Sequence, residues 1–108
     1  MGKGMLVDVS KCIACRSCQI ACKQWWKLPA VPSVNRGTHE NPAELTAHTW
    51  NRIAFREMES EGTRKWLFTR KSCNHCSQAA CVWVCPSFAR GYTPLGSVTI
   101  DPDRCIGC

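Results

Sequence analysis

Hydrophobic and polar residues alternate only over short stretches of this chain, and each stretch predicts one short strand. Residues 49–57 and 65–69 alternate in this way, and the Glu-Gly-Thr sequence at 61–63 is a turn signal between them. We therefore predict a β-hairpin in the middle of the chain. Two further short strands are predicted over residues 5–9 and 97–101.

The stretches between these strands predict one short helix and one long loop. Residues 18–26 favour a short helix. Residues 27–48 predict a loop or linker, because four residues that break regular structure lie there: Pro29, Pro32, Gly37 and Pro42. Regular structure is therefore expected to be sparse, and a bound metal would have to replace much of the missing hydrophobic core.

Cysteine is the residue type that stands out, with ten copies in 108 residues. That usage is close to the level at which an ordinary globular domain becomes unusual. The cysteines form three groups, with the spacings C-x2-C-x2-C-x3-C, C-x2-C-x4-C-x3-C-P and C-x2-C. In order they are Cys12, Cys15, Cys18 and Cys22; Cys73, Cys76, Cys81 and Cys85; and Cys105 and Cys108.

The third group repeats the first. Residues 7–15 align with residues 100–108, and the aspartate, both cysteines and the isoleucine between them are identical. An internal repeat of this kind indicates a repeated structural unit. By the spacing of the first group, two more cysteines should follow Cys108, so we expect the chain to be a fragment that ends inside its third motif. The alternative is a true C-terminus with a leftover cysteine pair.

Metal-binding thiolates explain these cysteines better than disulfides do. The N-terminal residues show no apolar signal segment for export, and disulfides belong mainly to exported proteins. Four cysteines within residues 12–22 are too close together for the two separated ligand pairs of a structural zinc site. The same spacing is the bacterial ferredoxin run, in which the fourth cysteine binds a different cluster. We therefore predict iron–sulfur clusters, with zinc and disulfides as alternatives.

Charge and the remaining motifs do not favour another function. The formal net charge is +6, but the basic residues are scattered along the chain. Clusters of about −2 each would offset much of that excess, so nucleic-acid binding is not favoured. No nucleophile constellation and no phosphate-binding glycine loop is evident. His75, between Cys73 and Cys76, is expected to be a loop residue or a hydrogen-bonding neighbour and not a metal ligand, because four cysteines already suffice.

The three motifs, in residues 8–23, 72–87 and 103–108, resemble those of the four-cluster iron–sulfur subunits of molybdopterin oxidoreductases. Within that group, residues 23–29, 41–42 and 49–50 look most like the formate dehydrogenase beta subunit. Electron-transfer subunits of dimethyl sulfoxide, polysulfide and nitrate reductases are the close alternatives, and a zinc-binding interaction module is a more distant one.

This resemblance implies an α+β fold of ferredoxin-like [4Fe-4S] modules with short strands and helices. The expected divisions are a first motif over 1–26, a linker with the hairpin over 27–72, and the second and truncated third motifs over 73–108. The implied function is electron relay between a molybdenum or tungsten catalytic subunit and a membrane cytochrome or other acceptor. The chain itself is not expected to be an enzyme. A cytoplasmic or membrane-associated complex is expected, with export alongside a signal-bearing partner as the alternative.

The resemblance also implies that all ten cysteines bind clusters and that the intact protein holds four clusters. In that pairing, the first motif shares its clusters with a fourth motif absent here, and the second motif shares with the third. Cys73, Cys76 and Cys81 would then bind one cluster, and Cys85 would join Cys105 and Cys108 at another. A self-contained alternative is open, in which the first two motifs exchange fourth cysteines, Cys22 and Cys85, as in a two-cluster ferredoxin.

Overall fold

A computed structural model describes residues 3–108. The chain forms two compact units. One unit is Leu6–Ser72, and the other combines the described part of Met1–Met5 with Cys73–Cys108. The predicted division into three segments, 1–26, 27–72 and 73–108, stays a prediction.

Helices and strands are short, and every strand pair is antiparallel. The strands form two separate two-stranded sheets, β1 with β2 and β3 with β4. In chain order the elements are α1 (Ser17–Trp25), β1 (Asn51–Ser60), β2 (Thr63–Ser72), α2 (Ala80–Trp83), β3 (Arg90–Tyr92) and β4 (Val98–Ile100).

The predicted hairpin is confirmed as β1 and β2, which are longer than the sequence pattern indicated. Their register runs from Asn51 opposite Ser72 to Ser60 opposite Thr63. The turn residues Glu61 and Gly62 both have positive φ, 51° and 73°. Two consecutive residues with positive φ give the turn geometry that matches the right-handed twist of a hairpin.

The first half of β1 is the best-covered part of the Leu6–Ser72 unit. Ile53 and Ala54 are buried there, and α1 contacts β1. Two side-chain amides fasten the helix. Nδ2 of Asn51 donates to the Cys18 carbonyl at 2.9 Å, and Nε2 of Gln19 donates to the Asn41 carbonyl at 2.9 Å. The predicted helix over 18–26 is therefore confirmed, one residue earlier than expected.

The linker lacks helix and strand, as predicted, and is held by side chains. Residues 27–48 contain one isolated bridge end, Thr46, which pairs with Thr49. His39 packs its ring 5.4 Å from that of Trp66, and Trp66 lies edge-on to Phe55 at 6.2 Å. Such tilted and edge-on aromatic contacts add to the stability of the hairpin face.

The unit that contains Cys73–Cys108 has a very small apolar core. Its buried hydrophobic side chains are Ala79, Ala89 and Val98. The β3–β4 sheet is extended by one more contact, the Asp101 N–H donating to the Ala89 carbonyl at 2.7 Å. The strand predicted over 97–101 is confirmed as β4, whereas its partner β3 was not predicted.

The strand predicted over residues 5–9 is wrong. These residues have no strand conformation, and Leu6 is 92% exposed. A strand is stable only when a neighbouring strand satisfies its backbone groups, and none of the described strands pairs with this segment. Separately, no helix within residues 3–108 is both long enough and apolar enough to cross a membrane.

Candidate metal centre

The first cysteine group and the other two lie in different units of the structure. Cys12, Cys15, Cys18 and Cys22 belong to the Leu6–Ser72 unit, and Cys18 and Cys22 are on α1. The unit with Cys73–Cys108 carries the other six cysteines, which are Cys73, Cys76, Cys81, Cys85, Cys105 and Cys108. Of these six, only Cys81 is on a helix, α2.

The structure does not gather these thiols. Within residues 3–108, no three side chains of His, Cys, Asp or Glu are close enough together to hold a metal ion. The assignment of all ten cysteines as ligands therefore stays a prediction. What the structure does provide is the backbone of the loops between them.

The first C-x2-C loop of each of the three cysteine groups has the same unusual backbone. The residue just before the second cysteine has a positive φ in each: 59° at Ala14, 50° at His75 and 71° at Gly107. For the two residues with a Cβ this conformation costs about 1–2 kcal/mol. Strain of this kind is retained where the local conformation serves a function.

This repeated conformation fits an iron–sulfur cluster. A residue of left-handed conformation next to a right-handed one turns successive N–H groups towards a common anion-binding hollow. Soft thiolate donors are the ligands that iron–sulfur clusters prefer. Ten cysteines match the predicted group in donor chemistry, and the three loops of this conformation match it in backbone.

Cys85 is the thiol with the most strongly altered acidity. Its Sγ lies 3.6 Å from the Ser87 hydroxyl and accepts the Ala89 N–H at 3.3 Å. The contact with Ser87 is the largest cause that lowers the pKa of Cys85 to about 7, and the Ala89 N–H adds to it. Because the thiolate is the form that binds metal, Cys85 is prepared for ligation near neutral pH.

Two cysteines of the first group shift in opposite directions. Cys15 lies 3.4 Å from the Ser17 hydroxyl, and this contact lowers the pKa of the Cys15 thiol. Burial raises the pKa of Cys22, and the positive charges of Arg70 and Lys23 partly oppose that rise. The two thiols therefore differ in environment although they belong to one motif.

Tyr92 explains how the second motif accommodates its longer gap of four residues. From β3, its hydroxyl accepts the Ala79 N–H at 2.7 Å and donates to the Ser77 carbonyl at 3.1 Å. The residues between Cys76 and Cys81 are thus tied at two backbone points. Nothing local in the sequence indicated this role, because Tyr92 lies beyond the motif it fastens.

Replacing Tyr92 by Phe is expected to destabilise the Cys73–Cys108 region by about 1–3 kcal/mol, because two hydrogen bonds are lost together. Denaturant unfolding of the intact protein, followed by the visible absorbance of its clusters, measures the loss. Thr99→Val is the matched control, since it removes one exposed 3.3 Å bond to Gly91 from the same sheet. Equal midpoints for Tyr92→Phe and Thr99→Val would contradict the role of Tyr92.

His75 is a hydrogen-bonding neighbour in the structure. Its ring Nδ1 accepts the Val98 N–H at 3.0 Å, and the backbone N–H of His75 donates to Sγ of Cys73 at 3.3 Å. The imidazole therefore joins the second motif to β4, the strand that leads towards the third motif. Because Nδ1 accepts this bond, the proton of the neutral ring lies on Nε2, and neither nitrogen has a lone pair free for a metal.

His75→Asn is expected to keep the iron content and most of the stability, because the Asn Oδ1 can replace the Nδ1 acceptor. His75→Ala leaves the buried Val98 N–H without its acceptor, and we expect a cost of about 1–3 kcal/mol. Iron analysis and thermal unfolding of the two variants compare them directly. Loss of iron in both would instead make His75 a ligand.

Comparison with known proteins supports the same chemistry. Residues 11–89 match the 4Fe-4S dicluster domain family. The chain is 44% identical over 81 residues to formate dehydrogenase subunit beta of Megalodesulfovibrio gigas, which covers 75% of the chain and 38% of that relative. It is 38% identical over 104 residues to the nitrate-inducible formate dehydrogenase iron-sulfur subunit of Escherichia coli, which covers 95% of the chain and 35% of that relative.

A third relative is the formate dehydrogenase iron-sulfur subunit of Haemophilus influenzae, 34% identical over 105 residues, covering 95% of the chain and 34% of the relative. The chain thus spans between 34% and 38% of the length of these curated relatives. The ferredoxin-like α+β fold predicted from the motifs is confirmed by the family match and by the short helices and antiparallel strands.

Proposed function

The chain belongs to the 4Fe-4S dicluster domain family, and from this premise we propose that it is part of the iron–sulfur electron-transfer subunit of a formate dehydrogenase. The observation that carries the proposal is the left-handed conformation that recurs inside the first C-x2-C loop of each of the three cysteine groups. The names of the relatives, all formate dehydrogenase subunits, support this enzyme complex and formate as its substrate.

We propose all ten cysteines as ligands, from Cys12 to Cys108. When bound, a [4Fe-4S] cluster supplies a site that gains or loses one electron at a time. The cysteine thiolates would hold the clusters, and loop N–H groups next to Ala14, His75 and Gly107 would donate to the cluster sulfides. Such hydrogen bonds, together with exclusion of water, set the reduction potential.

Within the complex, the chain is proposed to relay electrons and not to oxidise the substrate. A molybdenum or tungsten catalytic subunit would supply them, and a membrane cytochrome or another acceptor subunit would receive them. Four clusters are proposed for the intact protein. We place the complex in the cytoplasm or at the membrane, with export alongside the catalytic partner as the alternative arrangement.

Analysis of the anaerobically prepared intact protein tests this function. We expect iron and acid-labile sulfide in equal amounts and a brown colour with absorbance near roughly 400 nm. The colour should bleach when formate is added together with the catalytic subunit. Stoichiometric zinc without iron would replace the proposal by a zinc-binding interaction module. If formate gives no bleaching, but dimethyl sulfoxide or nitrate with its own catalytic subunit restores the colour of the chemically reduced protein, the chain would belong to one of those reductases.

A further inference from the structure

Arg16 lies between the second and third cysteines of the first motif, at a position where local structure does not favour arginine. It is the N-cap residue of α1, and its φ of 61° and ψ of 8° place it in the left-handed region. Glycine and asparagine adopt that conformation most readily, and serine, threonine, aspartate and asparagine are the usual caps. The Arg16 side chain makes no hydrogen bond at the cap, so the contacts that explain it lie elsewhere in the fold.

Two contacts from distant parts of the sequence hold the Arg16 side chain. Its guanidinium donates to the His39 carbonyl, and its Cζ lies 5.2 Å from the centroid of the Phe55 ring on β1. A guanidinium at this distance over an aromatic face is attracted electrostatically by the ring. The side chain is therefore anchored to the linker and to the hairpin at the same time.

The linker residues that receive Arg16 are themselves fixed to β1. Oε1 of Glu40 accepts the Phe55 N–H at 2.8 Å, and Oε2 of Glu40 lies 3.3 Å from Nη1 of Arg52. The His39 ring also packs 5.7 Å from the Phe55 ring. The carbonyl that accepts the guanidinium is therefore held in place by the hairpin.

The backbone of Arg16 transmits this anchor to the cysteines on either side. Its carbonyl accepts the N–H groups of Gln19 and Ile20 at 3.0 and 3.1 Å, the hydrogen bonds that open α1. The orientation of Arg16 therefore sets where α1 begins, and Cys18 lies in the first turn of that helix. Cys15 precedes Arg16 directly. A left-handed residue with a Cβ persists only where the surrounding contacts determine its conformation.

We propose that Arg16 is a positioning residue for the cluster of the first cysteine motif, because its anchored side chain fixes the turn between Cys15 and Cys18. The inference rests on the proposed function, since it requires that these two thiolates bind a cluster. The placement of the ligands then depends on a contact made 23 residues away in sequence. Partners that orient metal ligands in this way affect both the metal affinity and the properties of the bound metal.

Arg16→Gly tests the proposal, because glycine suits the left-handed backbone and the cap position but removes the anchor. We expect a changed line shape of one cluster signal in electron paramagnetic resonance of the reduced, iron-loaded intact protein. The iron of that cluster should be released to a chelator about tenfold faster, since a hydrogen bond from a charged group is lost. If Arg16 served only the local backbone, this variant would leave the signal unchanged and hold its iron at least as well.

Phe55→Leu separates the anchor from the charge of Arg16. It removes the aromatic face and keeps the guanidinium, and we expect the same cluster signal to change. Because Arg16 and Phe55 act through one contact, the double variant should change the signal no further than Arg16→Gly alone. Phe68→Leu is the matched control and should leave the signal unchanged. It makes the same substitution at the half-buried residue opposite Phe55 in the hairpin and leaves the Phe55 ring in place.

The outcomes distinguish this inference from the proposed function. Absence of iron from the intact wild-type protein would overturn the proposed function. Full iron content, with the signals of Arg16→Gly and Phe55→Leu equal to that of Phe68→Leu, would overturn this inference alone. A signal that changes in Arg16→Gly but not in Phe55→Leu would also overturn it, because the charge and not the anchor would then be responsible.

Discussion

Removing the iron is expected to unfold the Cys73–Cys108 region while the β1–β2 hairpin keeps its hydrogen bonds. The Cys73–Cys108 region has only three buried apolar side chains, Ala79, Ala89 and Val98, and two of them are alanines. Compact units of about 40 residues or fewer usually need a metal, disulfides or a partner for stability. Without cluster bonds, little remains in this region to offset the loss of chain entropy.

The hairpin has support of a different kind. Its ten residue pairs, the covering helix α1 and the packing of Phe55 against Phe68 at 5.2 Å do not depend on metal. A two-stranded hairpin that packs against a helix is more stable than an isolated one. The two regions should therefore differ in their response to the same treatment.

Amide hydrogen exchange before and after anaerobic iron chelation of the intact protein measures this difference. The N–H groups of Val98 and Asp101, which bond to His75 and Ala89, should lose their protection. The N–H groups in the β1–β2 ladder serve as internal control and should retain most of theirs. Unchanged protection at Val98 and Asp101 in iron-free protein would show that the small core suffices without metal.

Local sequence pattern was enough to predict the elements whose cause is local. Helix α1 and the β1–β2 hairpin follow from residue type, alternation and a turn with glycine at Gly62. The prediction of a strand over residues 5–9 was wrong because an apolar pattern permits a strand but does not supply the neighbouring strand that it must pair with. Strand β3 was missed because Arg90-Gly91-Tyr92 has no alternating apolar pattern, and its position is set by pairing with β4.

The candidate site divides in the same way. The spacing of the cysteines is enough to predict them as ligands, since cluster ligation by one loop is a local property of the chain. The side chains that hold the loops by hydrogen bonds to backbone carbonyls lie far from those carbonyls in sequence. Lys23 reaches the carbonyl of His48, and Tyr92 reaches back to Ser77. A single sequence does not reveal such contacts, because many polar side chains could make them.

Loss of a cluster in paired cysteine variants is the second large effect that we expect. Cys85→Ser and Cys105→Ser should each remove one [4Fe-4S] cluster, and the double variant should lose no more iron than either single variant. The reason is that two ligands of one cluster fail as one unit, so their effects do not add. Support for this pairing comes from the unit that contains Cys85, which also contains Cys105 and Cys108.

Cys76→Ser combined with Cys85→Ser is the matched comparison. These two cysteines belong to one motif, but the pairing assigns them to different clusters, so the double variant should lose twice the iron of each single variant. Iron and sulfide analysis of the intact protein, with the cluster signals counted by electron paramagnetic resonance, distinguishes the two patterns.

The exchanged pairing makes the opposite prediction for the first double variant. There, Cys85 would complete the cluster of Cys12, Cys15 and Cys18, so Cys85→Ser and Cys105→Ser would act on separate sites. Their iron losses would then add, or Cys105→Ser alone would lose none. In that arrangement Cys22→Ser and Cys76→Ser would be the non-additive pair, because both would serve one cluster. Each pairing thus predicts its own non-additive pair of substitutions, and iron content alone decides between them.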